Sequence, residues 1–320
     1  MKTPSTIERP LLLMLLAAAV LSVRVPSGAQ EENKTRQGQE VATTEGEPGK
    51  QTVELKAGEL TLLLGNEFDH GAGKTGYIGI WNLTSVHEQR NIFFHRYAGW
   101  IQHRHRANVE RISDSEGAIQ HFLPDGRIWS RQTFKIVPPY SFDCTFSRPS
   151  TSGAESFNGT SYMNGPKDPG VYFVTPDLEW QRHHDPVHGN AASIYAEGMP
   201  LPKLQKVPDA TYKHGTNAFS DSVSKWRYHP DYALFYGRFG KMVLIHMFPP
   251  RCGVIPYMSP SGGGRQPDGR NNPAWDWRGR FKNLEIKDGW SQFTMRAVYK
   301  PYVSDDDVLE EYQRWARETP

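Results

Sequence analysis

Apolar and polar positions along this chain alternate in short runs, and Gly, Pro and Asp break the runs. Leu60–Leu64, Tyr77–Leu83, Asn108–Ile112, Ala118–Phe122, Gln132–Val137 and Tyr140–Phe146 read as strands. So do Gly170–Val174, Tyr232–Phe239, Lys241–Phe248, Phe281–Ile286 and Ser291–Tyr299. Each is rich in aromatic or β-branched residues and bounded by turn formers. Gln51–Lys56 is the first strand-like stretch. Asp125-Gly126 and Phe239-Gly240-Lys241 sit between such runs as hairpin turns. Only one segment has helical period. Ser304 followed by three aspartates reads as a capped start, with the acids at the positive end of the helix dipole. Val308, Leu309, Tyr312 and Trp315 then mark one apolar face, which predicts a helix at about 304–317.

So many short strands close most simply as a large two-sheet sandwich. The expected fold is all-β, antiparallel, with one short C-terminal helix. No repeat recurs along the chain, which disfavours a propeller. The Gly- and Pro-rich stretch Pro256–Pro273 reads as a long surface loop.

The first residues follow another pattern. Lys2 and Arg9 precede the apolar run Leu11–Leu21, and Ser27-Gly28-Ala29 supplies small residues for cleavage. That order is a secretory signal peptide, and the run is short for a hydrocarbon core of about 30 Å. Residues 1–29 are therefore expected to be a signal peptide, 30–50 a polar disordered linker, and 51–320 one sandwich domain. A secreted or periplasmic location follows, with no stable membrane insertion after cleavage. The formal net charge of +2 gives no basic surface for nucleic acid. Two cysteines, Cys144 and Cys252, can pair in an oxidising compartment. Cys144 also alternates with Phe142 and Phe146, which suits a core position. Both readings stay open.

Four polar clusters carry candidate chemistry. In Gln102–Arg106, a strand places His103 and His105 on one face and Arg104 on the other. Imidazoles there serve as general acid or base, and the guanidinium binds a carboxylate. The competing reading is a charged edge strand. The run Arg182–Gly189 holds three His, but its spacing fits no zinc pattern. It reads as turn chemistry or as a substrate loop with His188. In Ser161–Lys167, Tyr162 and Asn164 can donate to sugar hydroxyls, or the segment is an ordinary Asn-Gly turn. In Asn272–Trp277, Trp275 can stack on a sugar while Asp276 takes hydroxyl hydrogen bonds. Strand alternation puts Trp275 and Trp277 on one face and Asp276 on the other, so a core tryptophan pair competes. Glu67 lies in a loop, His246 reads as a core histidine, and Arg238 can reach a site at the sheet face. Gly73-Lys74-Thr75 is not a P-loop, because Phe68 stands where the motif needs Gly. No cofactor or metal is expected.

Three segments bring in a resemblance. They are the hairpin of residues 236–245, Asn272–Trp277, and the closing residues 296–303 with the helix that follows. Over residues 51–317 the chain resembles exported bacterial proteins of the galactose-mutarotase-like supersandwich class. That resemblance implies a concave sheet that binds sugar, as in aldose epimerases, several polysaccharide lyases and accessory domains of glycosidases. Aldose epimerases pair a catalytic His with a late Glu. Glu285 is the late candidate here, and it alternates as a surface residue.

The expected partner is a saccharide or polysaccharide, with elimination or epimerisation as the chemistry. His103 or His105 would move the proton, Tyr162 would be the partner acid, and Arg104 or Arg238 would neutralise a carboxylate. Glu67 and Asp276 are the carboxylates available for hydrolysis. A non-catalytic carbohydrate-binding module and a structural envelope protein stay open beside the enzyme.

Overall fold

The alternating runs pair into three sheets in the computed structural model of the chain. It describes residues 51–66, 78–93, 106–150, 154–184, 190–202, 220–259, 273–282 and 284–319. Three strands, β1 (Gln51–Ala57), β2 (Leu60–Asn66) and β3 (Ile78–Ser85), form an antiparallel meander. The largest sheet has ten strands. From one edge it runs β10 (Trp180–His183), β9 (Val171–Val174), β13 (Leu234–Phe239), β14 (Met242–Met247) and β18 (Trp290–Pro301). It continues through β7 (Ser141–Pro149), β6 (Ile128–Val137), β5 (Glu116–Phe122) and β4 (Arg106–Arg111), with β17 (Glu285–Lys287) paired to β18. The third sheet has five strands: β12 (Ser220–Tyr228), β11 (Asn190–Ala196), β15 (Ile255–Ser259), β16 (Ala274–Lys282) and β8 (Ala154–Gly159).

The three- and five-stranded sheets share one apolar core with the ten-stranded sheet, so the architecture is a two-layer sandwich. Period-2 alternation sends Phe146, Phe293 and Met295 inward from β7 and β18. They meet Trp277 and Phe281 of β16. Phe146 meets Trp277 edge-on at 5.1 Å and Phe293 stacks on Phe281 at 4.1 Å. Such aromatic pairs add about 0.5–1.5 kcal/mol each beyond the area they bury. Trp275 lies against the backbone of Gly237, where a Cβ would come within 2.1 Å of its ring. Glycine is needed there so that the ring can pack flat on the strand.

The opposite face of the ten-stranded sheet carries the helix α1 (Asp305–Glu318). Its Val308, Tyr312 and Trp315 pack on Val243, Ile245 and Val298. Ser304 caps it, its Oγ accepting from the Asp307 N–H at 3.1 Å. Lys300 of β18 donates to Glu311 at 2.7 Å and to Asp307 at 2.9 Å, tying sheet to helix.

The all-β sandwich with one C-terminal helix is the architecture expected from the pattern. Four details differ. The β11–β12 pair is parallel, so the third sheet is mixed. The stretch expected as a loop from Pro256 begins inside β15. The single run Phe281–Ile286 belongs to two strands, β16 and β17, with Glu285 exposed on the second. Strands β8, β10, β11 and β12 also form where no run was expected. β8, β11 and β12 carry Ala, Ser or Asn, which are poor β-formers, β10 is only four residues long, and pairing with neighbours overrides both. Cys144 is buried in the core, Cys252 is half-buried, and both are free.

Candidate functional site

A row of polar side chains crosses the core-facing side of the ten-stranded sheet. Register builds it. His121 of β5 faces Ser130 of β6. One step beyond the Arg131–Ser147 pair, Ser130 lies beside Arg148 of β7, and Arg148 faces Ser291 of β18. Gln132 sits two residues along β6, on the same face as Ser130 and Phe134. These positions alternate with residues of the opposite face, and the inward set includes Ile119, Phe134, Phe146 and Phe293. Polar side chains therefore stand where the pattern calls for apolar ones.

Burial there is nearly complete. His121, Gln132 and Ser291 are 0% exposed and Ser130 is 2%. The hydroxyls of Ser130 and Ser291 and both amide atoms of Gln132 find no hydrogen-bond partner among the described residues. Native proteins pair the great majority of such groups, and each one left over costs about 1–3 kcal/mol. A cluster of them inside one core is a place where ordered water or a ligand would find partners.

The edge of the row is open. Arg148 and Trp129 are partly exposed. The Arg148 guanidinium lies 4.2 Å from the centre of the Trp129 ring and 5.3 Å from that of Phe157, which comes from the other layer. Trp129 is the extra residue of a bulge, since His121 faces Ser130 while Phe122 faces Ile128. Bulges re-aim side chains and recur beside functional sites. The Trp129 ring meets His121 edge-on at 6.3 Å. One cation, one aromatic face, one imidazole, two hydroxyls and an amide thus converge at one end of the sandwich.

The described residues among those singled out from sequence are not part of this row. His103, Arg104, His105, Glu67 and His188 lie outside the described residues. Trp275 is a core residue, 1% exposed, and its indole N–H donates to the Pro169 carbonyl at 3.0 Å. It presents no face to a sugar. Arg238 points to the helix side of its sheet, 3.8 Å above Tyr302. His246, three positions off on the paired strand, faces the core instead, so the two share no site. His246 stacks on Phe235 at 4.4 Å, and burial pushes its pKa down to about 3. Asn164 donates to the Asn91 carbonyl at 2.9 Å.

Tyr162 packs against the main core, whereas Asp276 lines a cavity on the outward face of its sheet. Tyr162 bridges Ala274 and Gly159 pairs with Trp277, so Thr160 lies beside Asp276 on the side of the five-stranded sheet that looks away from the core. A cavity of about 450 Å³ opens there, with Asp276, Arg278, Tyr257, Asn158 and Thr160 in its wall. Burial pushes the Asp276 carboxyl up to about 8, against the opposing effect of the Ser161 N–H it accepts at 2.8 Å. Among the described residues, no three or more of His, Cys, Asp and Glu gather as a metal set.

No family model and no curated protein matches the sequence. Two of the solved structures that match the chain align over most of it. One is a candidate aldose 1-epimerase of Escherichia coli K12, at 9% identity over 79% of this chain and 100% of that one, with a TM-score of 0.39. The other is the protein HI1317, at 7% identity over 78% of this chain and 99% of that one, with a TM-score of 0.34. The first bears the name of a class that the sequence resemblance brings in. Overlap this loose transfers neither a residue nor an activity.

Proposed function

We propose that the mature chain works outside the cytoplasm and binds a saccharide on the core-facing side of its ten-stranded sheet, at the row His121–Ser130–Arg148–Ser291. The observation that carries this reading is the group of fully buried hydroxyl and amide atoms without a partner among the described residues, set beside an arginine and an aromatic face. A sugar ring offers what they lack. Its hydroxyls donate and accept at several angles, and its apolar face stacks on an indole.

The same residue types support acid–base chemistry. His121 stands at the buried end as the proton carrier. Arg148 balances a carboxylate or a developing oxyanion in a dry site, where a charge counts for more than in water. The fitting reactions are elimination next to a uronic acid carboxylate and epimerisation at a carbon bearing a hydroxyl. This keeps the chemistry first expected of His103 or His105 with Arg104 or Arg238 and assigns it to His121 and Arg148.

The test is calorimetric titration of the chain from Gln30 on with neutral and uronic-acid oligosaccharides. At least one is expected to bind, and Arg148→Gln is expected to weaken that binding more than tenfold, about 1.4 kcal/mol. A protein that stays folded and gives no heat with any of them contradicts the proposal. So does tight binding that Arg148→Gln leaves unchanged.

A further inference from the structure

The cavity on the outward side of the five-stranded sheet belongs to none of this. Its polar wall residues Asn158, Asp276 and Arg278 alternate along their strands with the core residues Phe157 and Trp277, which also border the cavity. Its volume, about 450 Å³, is that of small-molecule pockets rather than of packing defects, roughly 300–1,000 Å³.

Its wall has a definite chemistry. Arg278 is held in place, its guanidinium 4.5 Å from the centre of the Tyr257 ring and one Nη donating to Ser193 at 3.0 Å. That fixes a positive charge at low entropic cost to any anion that meets it. Asn158 and Thr160 extend the wall along the neighbouring strand with an amide and a hydroxyl. Asp276 stands between Thr160 and Tyr257. As an ionised group it would repel an anion. Raised to about 8 by burial, it is protonated at neutral pH and donates a hydrogen bond instead. A fixed guanidinium, a neutral carboxylic acid, an amide and hydroxyls together complement a ligand with one carboxylate and several hydroxyls.

We propose that this cavity is a second ligand site, which takes a hydroxy-carboxylate of monosaccharide size. Arg278 pairs with the carboxylate, and Asn158, Thr160 and Asp276 meet hydroxyls. The titratable and charged groups lining the cavity with Asp276 among the described residues are Arg278 on its own strand and Tyr257 on β15, while β8 contributes only Asn158 and Ser156, and Thr160 follows it. Ionisation of Asp276 is therefore the event that weakens binding as pH rises, and it does so through about pH 8.

The experiment is titration of the full chain with galacturonate and gluconate, with galactose as the neutral control. Binding of either acid at pH 6.5 is expected, at least fivefold weaker at pH 9, with galactose much weaker. Arg278→Gln should lower the affinity at least tenfold, and His121→Gln should leave it unchanged, which keeps this site apart from the one proposed above. If Arg278→Gln does not fold, Asn158→Asp serves, since a carboxylate added to the wall should also repel the ligand. No binding of either acid overturns the proposal. So does affinity that survives both substitutions or that falls only with His121→Gln.

Discussion

At the residue scale, Ser291 and Gln132 carry the most information. Each holds buried hydrogen-bonding atoms without a partner among the described residues, so each should lower the stability of the ligand-free protein. Ser291→Ala and Gln132→Leu are expected to raise stability by about 1 kcal/mol each, since the desolvation cost of an unpaired group disappears with the group. Both should weaken saccharide binding. Stability gained with function lost is the signature of a site. Urea unfolding with and without saccharide reads both quantities, and a loss of stability in both variants would show that these atoms are satisfied in the folded protein. The row was hidden in the sequence. His121, Ser130, Arg148 and Ser291 are far apart along the chain, and only register sets them side by side. The legible signal was faint: His121 is a single polar residue at an inward position of an apolar run, next to the Asp125-Gly126 turn. The dense cluster Gln102–Arg106 drew the chemistry instead, because nearness in sequence is visible and nearness across strands is not.

At the element scale, hairpins and the helix were the most legible parts. Gly126 and Gly240 adopt φ of 85° and 63° in the two expected turns, which glycine tolerates without strain. The helix begins at its expected cap because the Ser304 side chain meets an otherwise unpaired N–H. Its attachment could not be read from period alone. Lys300 and Glu311 form an ion pair in which each side chain is less than a tenth exposed, 7% and 8%. Burial pushes the Glu311 carboxyl up, but bonds from Arg314, Lys300 and Tyr140 outweigh it and hold the group below its usual range. Lys300→Met leaves a buried carboxylate short of a partner and should cost roughly 3 kcal/mol. The sign with pH follows from the depressed carboxyl. The contribution of Glu311 is complete above its ordinary range near 4.5 and is lost as pH falls through the folded-state value. Thermal unfolding at pH 7 and pH 3 measures it. The wild-type advantage over Lys300→Met should shrink at pH 3, and an advantage that grows on acidification would refute the clamp.

At the scale of the whole molecule, the sandwich follows from alternation that leaves each sheet one apolar face to cover. The helix covers part of the outer face of the largest sheet, and two smaller sheets cover the inner one. This second layer was the least legible part, because four of the five strands in its larger sheet carry weak or interrupted patterns. Splitting that layer sets the end of the ten-stranded sheet with His121, Arg148 and Trp129 against Phe157 of the covering strand. The central claim is that a saccharide occupies this end of the sandwich. Amide hydrogen exchange of the chain, with and without the oligosaccharide that binds most tightly, tests it most directly. The account predicts added protection confined to residues 118–122, 128–132, 146–149 and 290–293, the strand ends that carry the row. Protection elsewhere with none on these four stretches, or no change with any saccharide at saturating concentration, contradicts it.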